Sequence, residues 1–181
     1  LNCSSFISVK DPSRSGDMRM VESSIELPTY LQESIRRTAY MPPSLVPVKV
    51  HRNSNAGWKT VKKSIFLKNN HHDGEAPLDF LSVLGSIPFS IDKNMLKYDE
   101  KDTWGDLDSD SLKNKERERE GTIRVIKDML KRGNKFYFIH RADARYRTYA
   151  AGYQLSPQGS DYKKALLNLN KEEVLVNEYN F

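Results

Sequence analysis

The stretch from Ser111 to Leu155 constrains this chain more than any other. It opens with a densely charged run, KNKERERE, built of strong helix formers. Ile123, Ile126 and Leu130 then recur at helical spacing as one apolar stripe, and Gly133 is a natural stop. Two strand-like runs follow, Lys135 to His140 (KFYFIH) and Arg147 to Leu155 (RTYAAGYQL), joined by Arg141 to Tyr146. The stripe reads as core more than as interface. Together with the segments described next, this pattern predicts an α+β fold whose β-rich part comes late.

The rest of the chain is punctuated more heavily. Residues 1–20, rich in Ser, Asp and Arg, read as a loosely ordered start or arm. Pro28 to Tyr40 suits a short helix that cannot continue past Pro42-Pro43. Leu45 to Val50 reads as a short extended edge, and Trp58 to Lys68 as a strand or hairpin. His71-His72-Asp73-Gly74 is a turn. Pro77 to Leu84 has apolar residues at helical spacing, with Gly85 as its end and Ile87-Pro88-Phe89 as a linker. Ser90 or Asp92 can cap a second helix through Met95 and Leu96. Asp99 to Asp110 reads as an acidic loop. Pro157-Gln158-Gly159 turns the chain, and Ser160 or Asp161 caps a helix containing Ala165, Leu166 and Leu167.

Composition enters through charge. The 181 residues hold 29 Lys+Arg against 24 Asp+Glu, a net +5, and the excess is uneven. Residues 31–70 carry eight cations against one anion, and residues 121–150 eight against two. Residues 91–120 carry seven against ten. Aromatics interleave with both basic blocks: Tyr40 and Trp58 in one, and Phe136, Tyr137, Phe138, Tyr146 and Tyr149 in the other. Cations for phosphates and rings for bases are what a nucleic-acid groove requires. A solvated surface and an aromatic core are the alternative reading of the same residues. No run approaches the roughly 18 apolar residues of a membrane span. The single cysteine, Cys3, excludes an internal disulfide framework and a multi-cysteine zinc site, which fits a reducing compartment.

The sequence holds no phosphate-cradling glycine loop, zinc helix motif or nucleophile elbow. His71, His72 and Asp73 lack a third metal ligand at suitable spacing, and Asp106, Asp108 and Asp110 lack the remaining features of a calcium loop. The informative residues are Arg141, Arg145 and Arg147, placed on the connection between two strands with Asp143 among them. Arginines on a rigid hairpin suit planar, bidentate phosphate contacts, with Asp143 free to orient one of them. A surface ion-pair cluster is the competing reading.

The run D-A-R-Y-R-T-Y (Asp143 to Tyr149), followed by S-P-Q-G-S-D-Y-K-K-A-L-L (Ser156 to Leu167), resembles the segment leading into the palm of single-subunit, T7-like DNA-directed RNA polymerases. That family has an aspartate–x–x–glycine–arginine motif, then Pro-Gln-Gly, then a lysine. Asp143 and Arg147 match the ends of the first motif, Tyr149 its following tyrosine, Pro157-Gln158-Gly159 the second motif, and Lys164 the lysine. Tyr146 stands where the family has glycine. Upstream, PSLVPV (Pro43 to Val48) and PLDFLSVLGSIPFSIDKNML (Pro77 to Leu96) fall in the family's order, so the resemblance covers residues 43–169.

The resemblance implies part of a right-hand polymerase: residues 1–90 a reduced N-terminal region, 91–134 a thumb-like helical element, and 135–181 the start of the palm. It implies that Arg147 contacts the backbone of the template or hybrid, with Lys164, Tyr149, Arg145 and Arg141 close to the nucleic acid. Asp143 would fix the arginines, and Gln158 and Gly159 would shape the adjoining turn. The family's two metal-binding aspartates have no counterpart here, so no catalytic or metal-ligating residue is expected in this chain. A larger polymerase subunit carrying the fingers and the remaining palm would bind Mg²⁺ and complete a phage enzyme. That enzyme would act on DNA template, RNA–DNA hybrid and nucleoside triphosphates in the cytoplasm of an infected bacterium. A fragment of a single-chain enzyme, a basic accessory protein that binds nucleic acid, and a structural phage protein are the alternatives.

Overall fold

The structure is a computed structural model, and it describes residues 7–10, 20–23, 25–59, 62–67, 74 and 76–171. The expected turn at His71-His72-Asp73 lies outside the described residues. The chain has mixed α+β architecture, dividing into compact units at residues 1–39 and 40–181.

Of the loose arm expected over residues 1–20, residues 7–10 and 20 are described, and they lie in strands. Strands β1 (Ile7–Lys10) and β2 (Met20–Ser23) pair antiparallel, with Ile7 opposite Ser23 and Lys10 opposite Met20. Short runs containing β-branched residues suffice for a ladder. Helix α1 (Thr29–Ala39) follows Pro28, whose carbonyl accepts the N–H groups of Leu31 and Gln32 at 2.9 and 3.1 Å.

In the second unit, the extended segment 135–142 is the spine. Its side chains alternate between two hydrophobic clusters, as successive strand residues must. Phe136 and Phe138 pack with Ile91, Ile126, Met129, Leu155 and Leu166, while Tyr137 and Ile139 pack with Val48, Trp58, Ile65 and Leu81. Burial on both faces explains the unbroken apolar run FYFI. It also explains why the expected strand Lys135 to His140 is subdivided. Phe136 bridges Phe89, Tyr137 bridges Ser44, and only β4 (His140–Ala142) forms a continuous ladder, with β5 (Thr148–Ala150).

Helix α2 (Leu78–Ser86) continues through Gly85 rather than ending there. A Cβ on Gly85 would stand 2.8 Å from the Val48 carbonyl oxygen, so only glycine lets the helix lie against that backbone. The Gly85 carbonyl accepts the Val48 N–H at 2.9 Å, and Ser82 Oγ exchanges bonds with the Val50 N–H and carbonyl. The expected edge Leu45 to Val50 is therefore extended chain stitched to a helix, not a sheet strand. Nor do the described residues of 58–68 form a hairpin, since Phe66 makes a single parallel bridge to Ala142.

Phe89, expected in a linker, opens β3 (Phe89–Ile91), and Ser90 lies within it. Asp92 caps a 3-10 turn over Lys93–Lys97, and Asp99 a second over Glu100–Thr103 within the expected loop. The long helix α3 (Ser109–Lys131) starts earlier than Ser111 because the Asp108 carboxylate accepts the N–H groups of Asp110 and Ser111. Gly133 and Asn134 follow it with φ of +96° and +54°. The Asn134 amide then accepts from the Ile91 N–H at 2.8 Å and donates to its carbonyl at 3.0 Å, a side chain acting as one rung of the sheet.

Helix α4 (Asp161–Ala165), capped by Ser160, is shorter than expected. Leu166 is buried, and Leu167 begins β6 (Leu167–Leu169), which pairs antiparallel with β3. Pairing with β3 outweighs continuing a helix through Asn168.

Candidate nucleic-acid interface

The β4–β5 hairpin is closed by a loop whose geometry follows from Asp143. The Tyr146 N–H donates to the Asp143 carbonyl at 2.9 Å, and the Asp143 N–H donates to the Arg147 carbonyl at 3.0 Å. Tyr146 adopts φ +61°, the left-handed conformation that a turn with a one-residue bulge demands. A non-glycine residue pays roughly 1–2 kcal/mol there. The Tyr146 ring meets Phe66 edge-on at 6.1 Å, a contact that glycine could not make.

The Asp143 carboxylate organises everything around it. Oδ1 accepts the N–H groups of Arg145 at 2.8 Å and Arg147 at 3.0 Å. Oδ2 accepts Arg147 Nε at 2.7 Å, stands 2.6 Å from an Arg147 terminal nitrogen, and takes a long 3.4 Å bond from the Tyr149 hydroxyl. Burial raises the Asp143 pKa, but the bonds from the Arg147 side chain and from the two backbone N–H groups outweigh it, and the group sits at about 2. The pair thus keeps its charges to low pH, with the Arg147 side chain 56 % exposed. A carboxyl depressed in the fold contributes stability above its unfolded pKa, near 4, and loses it as pH falls through the folded value. Backbone amide signals of Arg145 and Arg147 are therefore expected to hold from pH 7 down to about pH 3 and to shift in a step centred near pH 2. In Asp143→Asn that step should be absent; an unchanged step would assign it to another carboxylate.

The other expected contacts separate into two groups. Arg145 is exposed and stands 3.9 Å from Asp143, so its guanidinium is largely free of that clamp. Arg141, by contrast, is not on the connection: it lies in β4, where its guanidinium donates to the Ser64 carbonyl at 2.8 Å and to the Phe66 carbonyl. It ties the hairpin to the core. Lys164 is exposed on α4 and pairs with Asp161 at 2.8 Å.

Gln158 shapes more than its own turn. Its amide accepts the Ala150 N–H at 2.7 Å and donates to the Thr148 carbonyl at 3.0 Å, filling the edge of β5 as a further strand would. The Gly159 N–H donates to the Ser156 carbonyl at 3.1 Å, and a Cβ there would stand 3.1 Å from Lys163.

Lys163, not singled out by the sequence, is the buried cation of this region at 5 % exposure. Its ammonium donates to Glu118 and to the Tyr153 carbonyl, and lies 5.4 Å from the Tyr153 ring. Tyr153 in turn stacks on Tyr40 at 4.0 Å. The available signal was in α3: Glu118 precedes the buried residues Thr122, Ile126 and Met129 on the inward face of the helix.

These residues can hold a polyanion by charge-assisted hydrogen bonds. Among the described residues, no three His, Cys, Asp or Glu side chains converge into a metal site, and no helix is long and apolar enough to cross a membrane. No protein-family model matches the chain, and no curated protein matches it either.

Proposed function

We propose that this chain is the smaller subunit of a two-chain, T7-like DNA-directed RNA polymerase, similar to that of the heterodimeric RNA polymerase II of phage N4. In this reading it holds template and RNA–DNA hybrid while a larger subunit supplies the metal-binding aspartates. The observation that carries the reading is the hairpin loop. Where the family motif has glycine, Tyr146 takes the left-handed backbone that glycine favours, and the bracketing aspartate and arginine are locked together.

Arg147 spends Nε and one terminal nitrogen on Asp143, leaving the rest of its five N–H donors for phosphate oxygens. Because Asp143 fixes the guanidinium plane beforehand, less side-chain freedom is lost on binding. Arg145 adds an exposed cation, while Arg141 holds the hairpin in place. Mg²⁺ belongs with the partner's carboxylates, where it supplies Lewis-acid chemistry for nucleotidyl transfer.

The test is primer extension by this chain with a candidate larger subunit. The pair should extend and neither chain should do so alone. Arg147→Ala should lower extension roughly tenfold to a hundredfold, the worth of one charge-assisted contact, with the heterodimer intact. Full activity without this chain would sink the reading. Unchanged synthesis by Arg147→Ala would remove that residue from the site. Salt-sensitive binding of nucleic acid without any effect on extension would favour an accessory protein.

A further inference from the structure

The first of the two basic blocks takes no part in the site described above, and the fold gathers it on one loop. Residues 41–72 hold six Lys or Arg (Lys49, Arg52, Lys59, Lys62, Lys63 and Lys68) and no Asp or Glu. All but Lys68 are described, and those five are exposed. Lys49 and His51 alternate with the core residues Val48 and Val50, so they point away from the core. The Asn53 carbonyl accepts the Ile65 N–H at 2.9 Å, and the Lys63 carbonyl accepts the Ala56 N–H at 2.8 Å. These bonds lay residues 53–56 against residues 63–65, which brings the two cationic stretches side by side.

Among the described residues, no hydrogen bond or ion pair reaches the side-chain nitrogens of these five cations. Lys63 lies over the Trp58 ring at 5.7 Å. The described carboxylates on the elements packed here are Asp79 on α2 and Asp143, and Asp143 is held by Arg147. Asp73 and Glu75 lie outside the described residues. Like charges gathered in this way repel one another, and a polyanion relieves that repulsion. The indole of this block is closed to bases, since Trp58 is 9 % exposed and packed in the core. Single-strand sites stack bases on exposed rings. A duplex keeps its bases stacked on one another and offers a phosphate charge about every 1.7 Å.

We infer that Lys49, Arg52, Lys59, Lys62 and Lys63 form a second nucleic-acid surface, which binds the phosphate backbone of duplex DNA without reading its sequence. It goes beyond the reading above, which assigns template and hybrid to the β4–β5 hairpin. The two surfaces share a seam. The Ala142 N–H donates to the Ile65 carbonyl at 2.7 Å, and Arg141 donates to the Ser64 and Phe66 carbonyls. The basic loop is thereby fixed to the base of the hairpin.

The experiment is fluorescence anisotropy of a labelled DNA duplex with this chain alone, across a salt series. Affinity should fall steeply as salt rises and should be the same for two duplexes of unrelated sequence. The triple variant Arg52→Ala, Lys59→Ala, Lys62→Ala should bind at least roughly tenfold more weakly, with a log–log salt slope shallower by about 3. A second triple variant, Lys93→Ala, Lys113→Ala, Lys127→Ala, removes the same charge elsewhere and should lower affinity by less than roughly threefold. Circular dichroism and melting show that each remains folded. Equal losses in the two variants would mean that net charge alone binds DNA, and would overturn the surface. So would unchanged binding by the first variant, or tighter binding of a single strand of the same length that this variant loses. If that variant kept its duplex affinity but lost affinity for the candidate larger subunit, the occupant would be an acidic protein face, which also overturns the inference. The assay needs no second chain, so its failure leaves the two-chain reading standing, and failure of primer extension leaves this surface standing.

Discussion

Replacing Glu118 with alanine is expected to destabilise the chain by roughly 2–3 kcal/mol, because it leaves the buried Lys163 ammonium without its hydrogen-bonded carboxylate. Lys163 is 5 % exposed and would retain the Tyr153 carbonyl at 3.1 Å, the Tyr153 ring and the more distant charge of Glu100. The figure lies below that for a fully buried pair because the Glu118 side chain is 35 % exposed and partly screened. Lys163→Met should cost less, since the remaining Glu118 carboxylate can reach water. The double variant Glu118→Leu with Lys163→Met should recover part of the loss, as hydrophobic replacement of buried pairs often does. Urea unfolding of the wild type and these variants measures the losses. Glu118→Leu alone, added to Lys163→Met and the double variant, closes the cycle that gives the coupling. Glu118→Ala within about 0.5 kcal/mol of the wild type would show that the pair carries no weight.

The second large effect is expected at Gly152. A Cβ there would stand 2.0 Å from the Leu155 carbonyl oxygen and 3.3 Å from a ring carbon of Phe138. Neither neighbour can rotate away, since one is backbone and the other lies in the core. Gly152→Ala should therefore cost about 3 kcal/mol or more, above the usual range for overpacking. Gly105→Ala meets nothing within 4 Å and serves as the control. If the two variants melted together, the close approach at Gly152 would carry no weight. The displaced segment leads to Gln158, so the edge of β5 should loosen as well, visible as faster exchange of the Ala150 amide that Gln158 holds.

Local features were legible in the sequence, and distant ones were not. The hairpin, its Asp143–Arg147 pairing and the cap by Ser160 depend on residues within a few positions of one another. Their spacing therefore predicts them. Arg141 looked identical to Arg145 and Arg147 in sequence, yet its partners are the carbonyls of Ser64 and Phe66, more than seventy residues earlier. Nothing local marks such a bond. Lys163 and Lys164 likewise differ only in which side of a short helix faces α3, and only one of them finds Glu118. The shortened strand at Lys135 to His140 and the extended stretch at Leu45 to Val50 share a cause: ladder partners are chosen by tertiary packing, which overrides propensity. Asn134 and Gln158 go further, replacing strand backbone with side-chain amides that no pattern of apolar residues could signal.

The spine from Phe136 to Ile139 acts as a party wall between two rooms. Phe136 and Phe138 furnish one, Tyr137 and Ile139 the other, and all four hang from a single stretch of backbone. Neither side can be emptied while the wall stands, and moving the wall disturbs both. Loosening that begins under α3 should thereby reach the cluster around Trp58 through this shared backbone. The hairpin bearing Arg147 continues this wall, and Arg141, at its base, ties it to the chain at Ser64 and Phe66.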